Sequence, residues 1–144
     1  MSDSGISIET LVDSRDFVRL KAEGILKIDL VNDRVFRHGM SALSPQGYMI
    51  DNLGNILANK LSAVLGRDEA KDVFDIAVIR GLGPIDWPTI LESTARKCAL
   101  DRDYLLYRLQ SFPASLFDLL AVKREEDLVK AIEHLAIVVR ELED

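Results

Sequence analysis

Residues 55–76 read NILANKLSAVLGRDEAKDVFDI, two helical segments joined across Gly66, Arg67 and Asp68. At 100° per residue the first segment gathers Leu53, Ile56, Leu57, Leu61, Val64 and Leu65 on one broad apolar face, with Lys60 near its centre. A fully buried ammonium there is costly. Lys60 therefore either snorkels out along the surface or meets a carboxylate at the edge of the core, with Asp29, Asp72 and Asp75 as the expected partners. On this view exchanging Lys60 for Met is neutral or stabilising, because a partly buried charge gives way to an apolar chain of similar length.

Helix signals continue on both sides of this stretch. Asn52 caps a helix over 53–65 that Gly66 closes, and Asp68 caps a helix over 69–80 that Gly81 and Gly83 stop. Asp86 with Pro88 starts a helix to about 98, and Asp101 starts another to about 111, ended by Pro113. After a short piece at 115–120, the last helix, 125–142, opens on Glu125, Glu126 and Asp127 and turns Leu128, Ile132, Leu135 and Val139 to the core. Upstream, FVRLKAEGILKIDLVND (17–33) alternates around Gly24 and predicts strands at 17–22 and 25–31. In the second, Leu26, Ile28 and Leu30 share one face, while Lys27 and Asp29 stand on the other. A short strand at 47–51 leads to the first helix. The fold class is α+β, a small antiparallel or mixed sheet followed by about five helices. One domain, 1–144, is expected, with a peripheral segment at 1–14, a β-rich part at 15–51 and a helical part at 52–144.

The bulk composition excludes several classes of function. At 144 residues and 48% hydrophobic content the chain can build one core. Its one cysteine, Cys98, rules out an intrachain disulfide, and with only His38 and His134 besides, no nitrogen or sulfur metal site is expected. Cys98 has no partnering base in sequence and reads as a structural thiol, and Trp87 reads as a hydrophobic lock at a helix start. No apolar run nears the roughly 20 residues that span a bilayer, and MSDSGISIET lacks the basic and apolar regions of a signal peptide, so a cytoplasmic protein without membrane contact is expected. The net charge is −6, with 10 Lys+Arg against 12 Asp+Glu in residues 1–80 and 8 against 12 thereafter. That sign argues against a general nucleic-acid binder and leaves small anionic ligands open.

Asp29, Asp51, Lys60, Arg67, Lys71, Asp72 and Asp75 stand out together: a strand carboxylate, a lysine on a core stripe, an arginine after the helix end and two acids opening the next helix. Singly, each is an ordinary surface or cap charge. In combination they suit Mg²⁺ and a triphosphate. The runs LKIDLVND (26–33) and YMIDNLGNILANKLSAVLGRDEAKDVFDI (48–76) resemble the later, C-terminal portion of nucleotidyltransferases of the AbiEii/AbiGii toxin family, within the polymerase-β-like superfamily. The resemblance covers about residues 15–80 and continues more loosely to 142. It implies that Asp29 is a metal-site carboxylate and catalytic residue, that Lys60 is catalytic too, contacting nucleotide phosphates and steadying their charge in the transition state, and that Gly66, Arg67, Lys71, Asp72 and Asp75 complete the nucleotide-binding pattern.

One departure from the family is decisive. Its Gly-Ser helix start followed by Asp-x-Asp, which grips the triphosphate and supplies two metal ligands, is not in this sequence. SGISIETLVDSRD (4–16) has an inverted Ser-Gly pair with Asp13 and Asp16 at the wrong spacing, and DRD (101–103) fits a helix cap. Two-metal chemistry needs three carboxylates where this chain offers one. The expectation is a nucleotidyltransferase-like protein of the abortive-infection or toxin–antitoxin type that is inactive alone or part of a larger enzyme, with Mg²⁺ bound only if other residues complete the site. Its implied partners are a nucleoside triphosphate, an antitoxin, a complementing N-terminal chain or a second copy of itself; an RNA acceptor has no support from charge. The alternative is a noncatalytic protein-interaction module derived from the same fold.

Overall fold

Glu23 and Gly24 take positive φ values of 52° and 67°, the backbone that a type I′ hairpin turn requires, and the Ile25 N–H closes the turn on the Ala22 carbonyl at 3.0 Å. In the computed structural model, which describes residues 5–144, this turn joins β2 (Phe17–Ala22) to β3 (Leu26–Val31). Their antiparallel register runs from Phe17↔Val31 to Ala22↔Leu26. The alternation in the sequence predicts both strands to within a residue.

A further strand, β1 (Ile8–Asp13), pairs antiparallel with β2, so the sheet order is β1-β2-β3. Within the peripheral segment expected over 1–14, of which residues 1–4 lie outside the described residues, the structure forms an exposed outer strand that the sequence did not signal. The physical reason is a bulge: the register shifts between Thr10 and Val12, so Leu11 is an extra residue that breaks the period-2 pattern by which strands are recognised. The short strand expected at 47–51 is β5 (Met49–Ile50), which pairs with β4 (Ala42–Leu43), a strand not expected from the sequence, in a separate two-stranded ribbon, closed by Ser44 N–H on the Tyr48 carbonyl at 2.8 Å.

The chain divides into two compact units where the sequence suggested one domain, the first ending at Val35 and the second running from Phe36 to Asp144. The boundary falls inside the expected β-rich part because residues 36–52 are bound to the helices. The Arg96 guanidinium lies 3.5 Å from the centre of the Phe36 ring. The His38 N–H donates to Asn55 Oδ1 at 2.8 Å, and Asn52 Nδ2 donates to the His38 carbonyl at 2.6 Å. A Cβ on Gly54 would lie 2.7 Å from the His38 ring, so this helix position must be glycine for the loop to approach.

The second unit is built from α1 (Leu53–Gly66), α2 (Ala70–Gly81), α3 (Trp87–Ala95), α4 (Arg102–Gln110), a 3-10 turn (Ala114–Leu119) and α5 (Glu125–Glu143). Its core takes Leu57 and Leu61 from α1, Val73 and Ile76 from α2, Leu105 and Leu109 from α4, and Val138 from α5. Phe117 is wholly buried among them, edge-on to Phe74 with centroids 5.8 Å apart. On α5 the buried stripe is Ala131, Leu135, Val138 and Leu142, while Ile132 is exposed. Leu128 and Val139 of the expected face pack partly buried against the same core, and Arg80 of α2 and Trp87 Nε1 of α3 both bind Glu141 of this helix, at 2.7 and 2.9 Å. Among the described residues no helix is long and apolar enough to cross a membrane.

Asn52 caps α1 as predicted, accepting from the Asn55 N–H at 2.8 Å, whereas α2 begins after Glu69 with no side-chain cap. Asp68, the expected cap, reaches Arg108 instead at 2.7 Å. Replacing Asn52 by Ala should therefore cost about 1–2 kcal/mol in urea denaturation, and Asp68→Ala less than about 0.5 kcal/mol, as for an exposed ion pair. Equal losses would contradict this assignment of caps.

Candidate functional site

Lys60 does not end in open solvent. Its Nζ lies 2.9 Å from Asp72 Oδ1 and 2.6 Å from Asp75 Oδ2, so α1 presents a cation to two carboxylates one turn apart on α2. Arg67, just past the end of α1, places Nε 2.7 Å from Asp72 Oδ2. The Arg67 carbonyl in turn accepts from Arg108 of α4 at 2.8 Å, which anchors the link between α1 and α2. Asp72 has no exposed surface, and each of its oxygens meets a different cation. Burial pushes its carboxyl up, but the hydrogen bonds from Arg67 and then Lys60 outweigh that and hold it below 3.8. Burial likewise pulls Lys60 down, and the bonds to Asp75 and Asp72 raise it above 10.5.

The structure thus brings Lys60, Arg67, Asp72 and Asp75 together in the second unit. Lys71 is exposed and stands beside the cluster in sequence without joining its ion pairs. Asp29 belongs to the first unit, where both carboxylate oxygens accept from the guanidinium of Arg19, at 2.7 and 2.8 Å. This bidentate pairing raises the Arg19 pKa. Nor do three His, Cys, Asp or Glu side chains gather into a metal-holding group among the described residues. The side chains as arranged do not fit the Mg²⁺ that the resemblance implies, because hard divalent ions require several converging oxygens.

A second polar centre went unrecognised in the sequence. Asn55 is wholly buried on α1; its Oδ1 accepts from the His38 N–H and Lys97 Nζ, each at 2.8 Å, and its Nδ2 donates to Asp51 at 2.6 Å. Arg37 adds a pair to Asp51 at 3.4 Å. His38 Nδ1 lies 2.7 Å from Ser93 Oγ, whose hydroxyl donates to the Thr89 carbonyl at 2.9 Å. Ser93 is therefore an acceptor toward the imidazole and is buried, which makes this a structural bond rather than an activated nucleophile. Asn55 could have been noticed as an amide inside the apolar sequence of α1; its partners, 17 and 42 residues away, could not.

A scan against protein-family models, a search of curated proteins and a search of solved structures each found no match.

The geometry reverses the expectation for Lys60→Met. Removing one of the two cations on a buried carboxylate should destabilise the protein by about 2–4 kcal/mol, with Asp72→Asn in the same range and the more exposed Asp75→Asn costing less than about 1 kcal/mol. The ranking is read from chemical denaturation at pH 7. The lowered Asp72 pKa adds stability that is full above 3.8 and is lost as pH falls through the folded value. The raised Lys60 pKa adds stability that is full below 10.5 and is lost as pH rises through its folded value. Asp72→Asn should flatten the acid limb of the stability profile, and an unchanged limb would refute the assignment.

Proposed function

We propose that the chain is a nucleotidyltransferase-like protein of the abortive-infection toxin type, cytoplasmic and inactive by itself, in which Lys60, Arg67 and Lys71 meet the phosphates of a nucleoside triphosphate. One observation carries this reading. Lys60 and Arg67 are held on the same buried carboxylate, so two cations stay fixed at the junction of α1 and α2 without having to be ordered by the ligand. Lys71 stands beside them as a third cation, but Asp68 and Glu69 lie on the same link as Asp72 and Asp75, so the local charge is balanced only when Arg108 is counted. That balance suits weak anion contact and needs further groups for tight binding. Those groups, an Asp-x-Asp pair above all, would come from a complementing segment, and an antitoxin would be the opposing partner. Asp29 is assigned to the same chemistry by resemblance alone, and no catalytic step is derived through it or through a metal.

The second reading, a noncatalytic interaction module, is favoured by a different observation: Ile25, Leu26 and Val31 are 86%, 60% and 64% exposed at the hairpin, more apolar surface than an isolated small sheet normally leaves to water.

Each nucleoside triphosphate with Mg²⁺ should bind the purified chain with a dissociation constant on the order of millimolar. In NMR titration the shifts should centre on Lys60, Arg67 and Lys71, and labelled nucleotide should not pass to RNA. Absence of shifts at those three residues up to about 10 mM triphosphate would remove the nucleotide reading in favour of the interaction module. Transfer by the purified chain would overturn the assignment as inactive.

A further inference from the structure

The sheet of the first unit has two outer strands, and they differ. β1 carries the bulge at Leu11, which twists an edge and interrupts its ladder. β3 is paired with β2 on one side, in unbroken register from Leu26 to Val31, and among the described residues no strand pairs with its other side. An outer strand with an unbroken ladder is a template for another strand, provided that the partner answers its edge charges, Lys27 and Asp29.

The backbone decides which registers such a partner can take. The Asn32 N–H donates to the Asp16 carbonyl at 2.9 Å, and hydrogen-bonded pairs alternate along an antiparallel ladder. Leu30 and Ile28 therefore turn their peptide groups to β2, while Val31, Asp29 and Lys27 turn theirs outward. A second β3 related by a two-fold axis must set outward residues opposite outward residues, so near the middle of the strand the axis can pass at Lys27, Ile28 or Asp29. The first choice sets Lys27 against Lys27, and the third sets Asp29 against Asp29. Like charges directly opposite one another are destabilising. The axis at Ile28 instead sets Lys27 against Asp29 of the second copy, twice, with Leu26 against Leu30 and Ile25 against Val31. It also brings a carboxylate to Lys27, which within the chain stands directly opposite Lys21.

We infer that β3 is a self-association edge: two copies of this chain pair antiparallel about Ile28 into one six-stranded sheet, and the two Lys27–Asp29 cross-strand pairs select the register. Arg19 and Asp29 share a face with the incoming Lys27, so the ion pair already present extends across the junction as Arg19, Asp29 and then Lys27 of the second copy. A single strand edge is a small interface, which places the dimer in the weak, micromolar class. This inference does not depend on the nucleotidyltransferase reading.

Sedimentation velocity on the full chain from about 1 to 200 µM tests it, with circular dichroism to verify folding of each variant. The wild type should sediment as a concentration-dependent dimer. Lys27→Glu should weaken association by about tenfold or more, since it sets Glu against Asp at both junctions. Mixing that variant with Asp29→Lys should restore the dimer as a heterodimer, because every junction pair is then of opposite sign. Should Asp29→Lys fail to fold without its Arg19 partner, Ile28→Cys in a Cys98→Ala background replaces it. The substituted position would face its own copy as a non-hydrogen-bonded pair with Cα atoms about 4.5 Å apart, within disulfide reach, and mild oxidation should link the copies. A wild type monomeric throughout the range would overturn the self-association edge. A dimer that ignores Lys27→Glu, or an Ile28→Cys variant that oxidation does not cross-link, would overturn its register.

Discussion

Asp72 is a carboxylate with no exposed surface, and such a charge persists only if its partners are built around it. Two cations do this from different places: Lys60 from the third turn of α1 and Arg67 from the link that follows. Because the acid sits in the first turn of α2, the triad ties α1 and the link after it to the start of α2. Val73 and Ile76 then fall into the core beside Leu57 and Leu61. Breaking the triad would leave a charge buried without compensation, a cost that the neighbouring apolar contacts could not offset by shifting slightly.

Asn55 plays a corresponding part at the other end of α1. Its amide binds the loop through the His38 N–H and α3's trailing Lys97, and reaches Asp51 just before the helix cap. Residues 36–52 hold little regular structure, yet they belong to the helical unit because its polar groups are the donors and acceptors they use. The end of the first unit at Val35 marks where these bonds stop.

The two units carry charge differently. In the helical unit, Lys60 and Arg67, two of the cations proposed for phosphate contact, are already engaged by carboxylates, so a ligand would share rather than capture them, and modest affinity is the physical consequence. In the sheet, Arg19 and Asp29 pair across strands at an exposed position, where such pairs contribute register more than stability.

The sequence by itself determined the α+β class, the hairpin at Gly24, the Asn52 and Asp101 caps and the order of the helices, because each is encoded in residues a few positions apart. It also pointed to the Lys60 cluster, since a lysine on an apolar stripe demands a partner and Asp72 lies only 12 residues away. It did not determine β1, whose bulge hides the alternation, or the contacts that Arg80 and Trp87 make with Glu141 across 61 and 54 residues. Nor did it determine that Asp29 faces Arg19 while Lys60 faces Asp72 and Asp75. Which carboxylate meets which cation depends on chain reversals and packing between distant segments, and only the tertiary structure decides it.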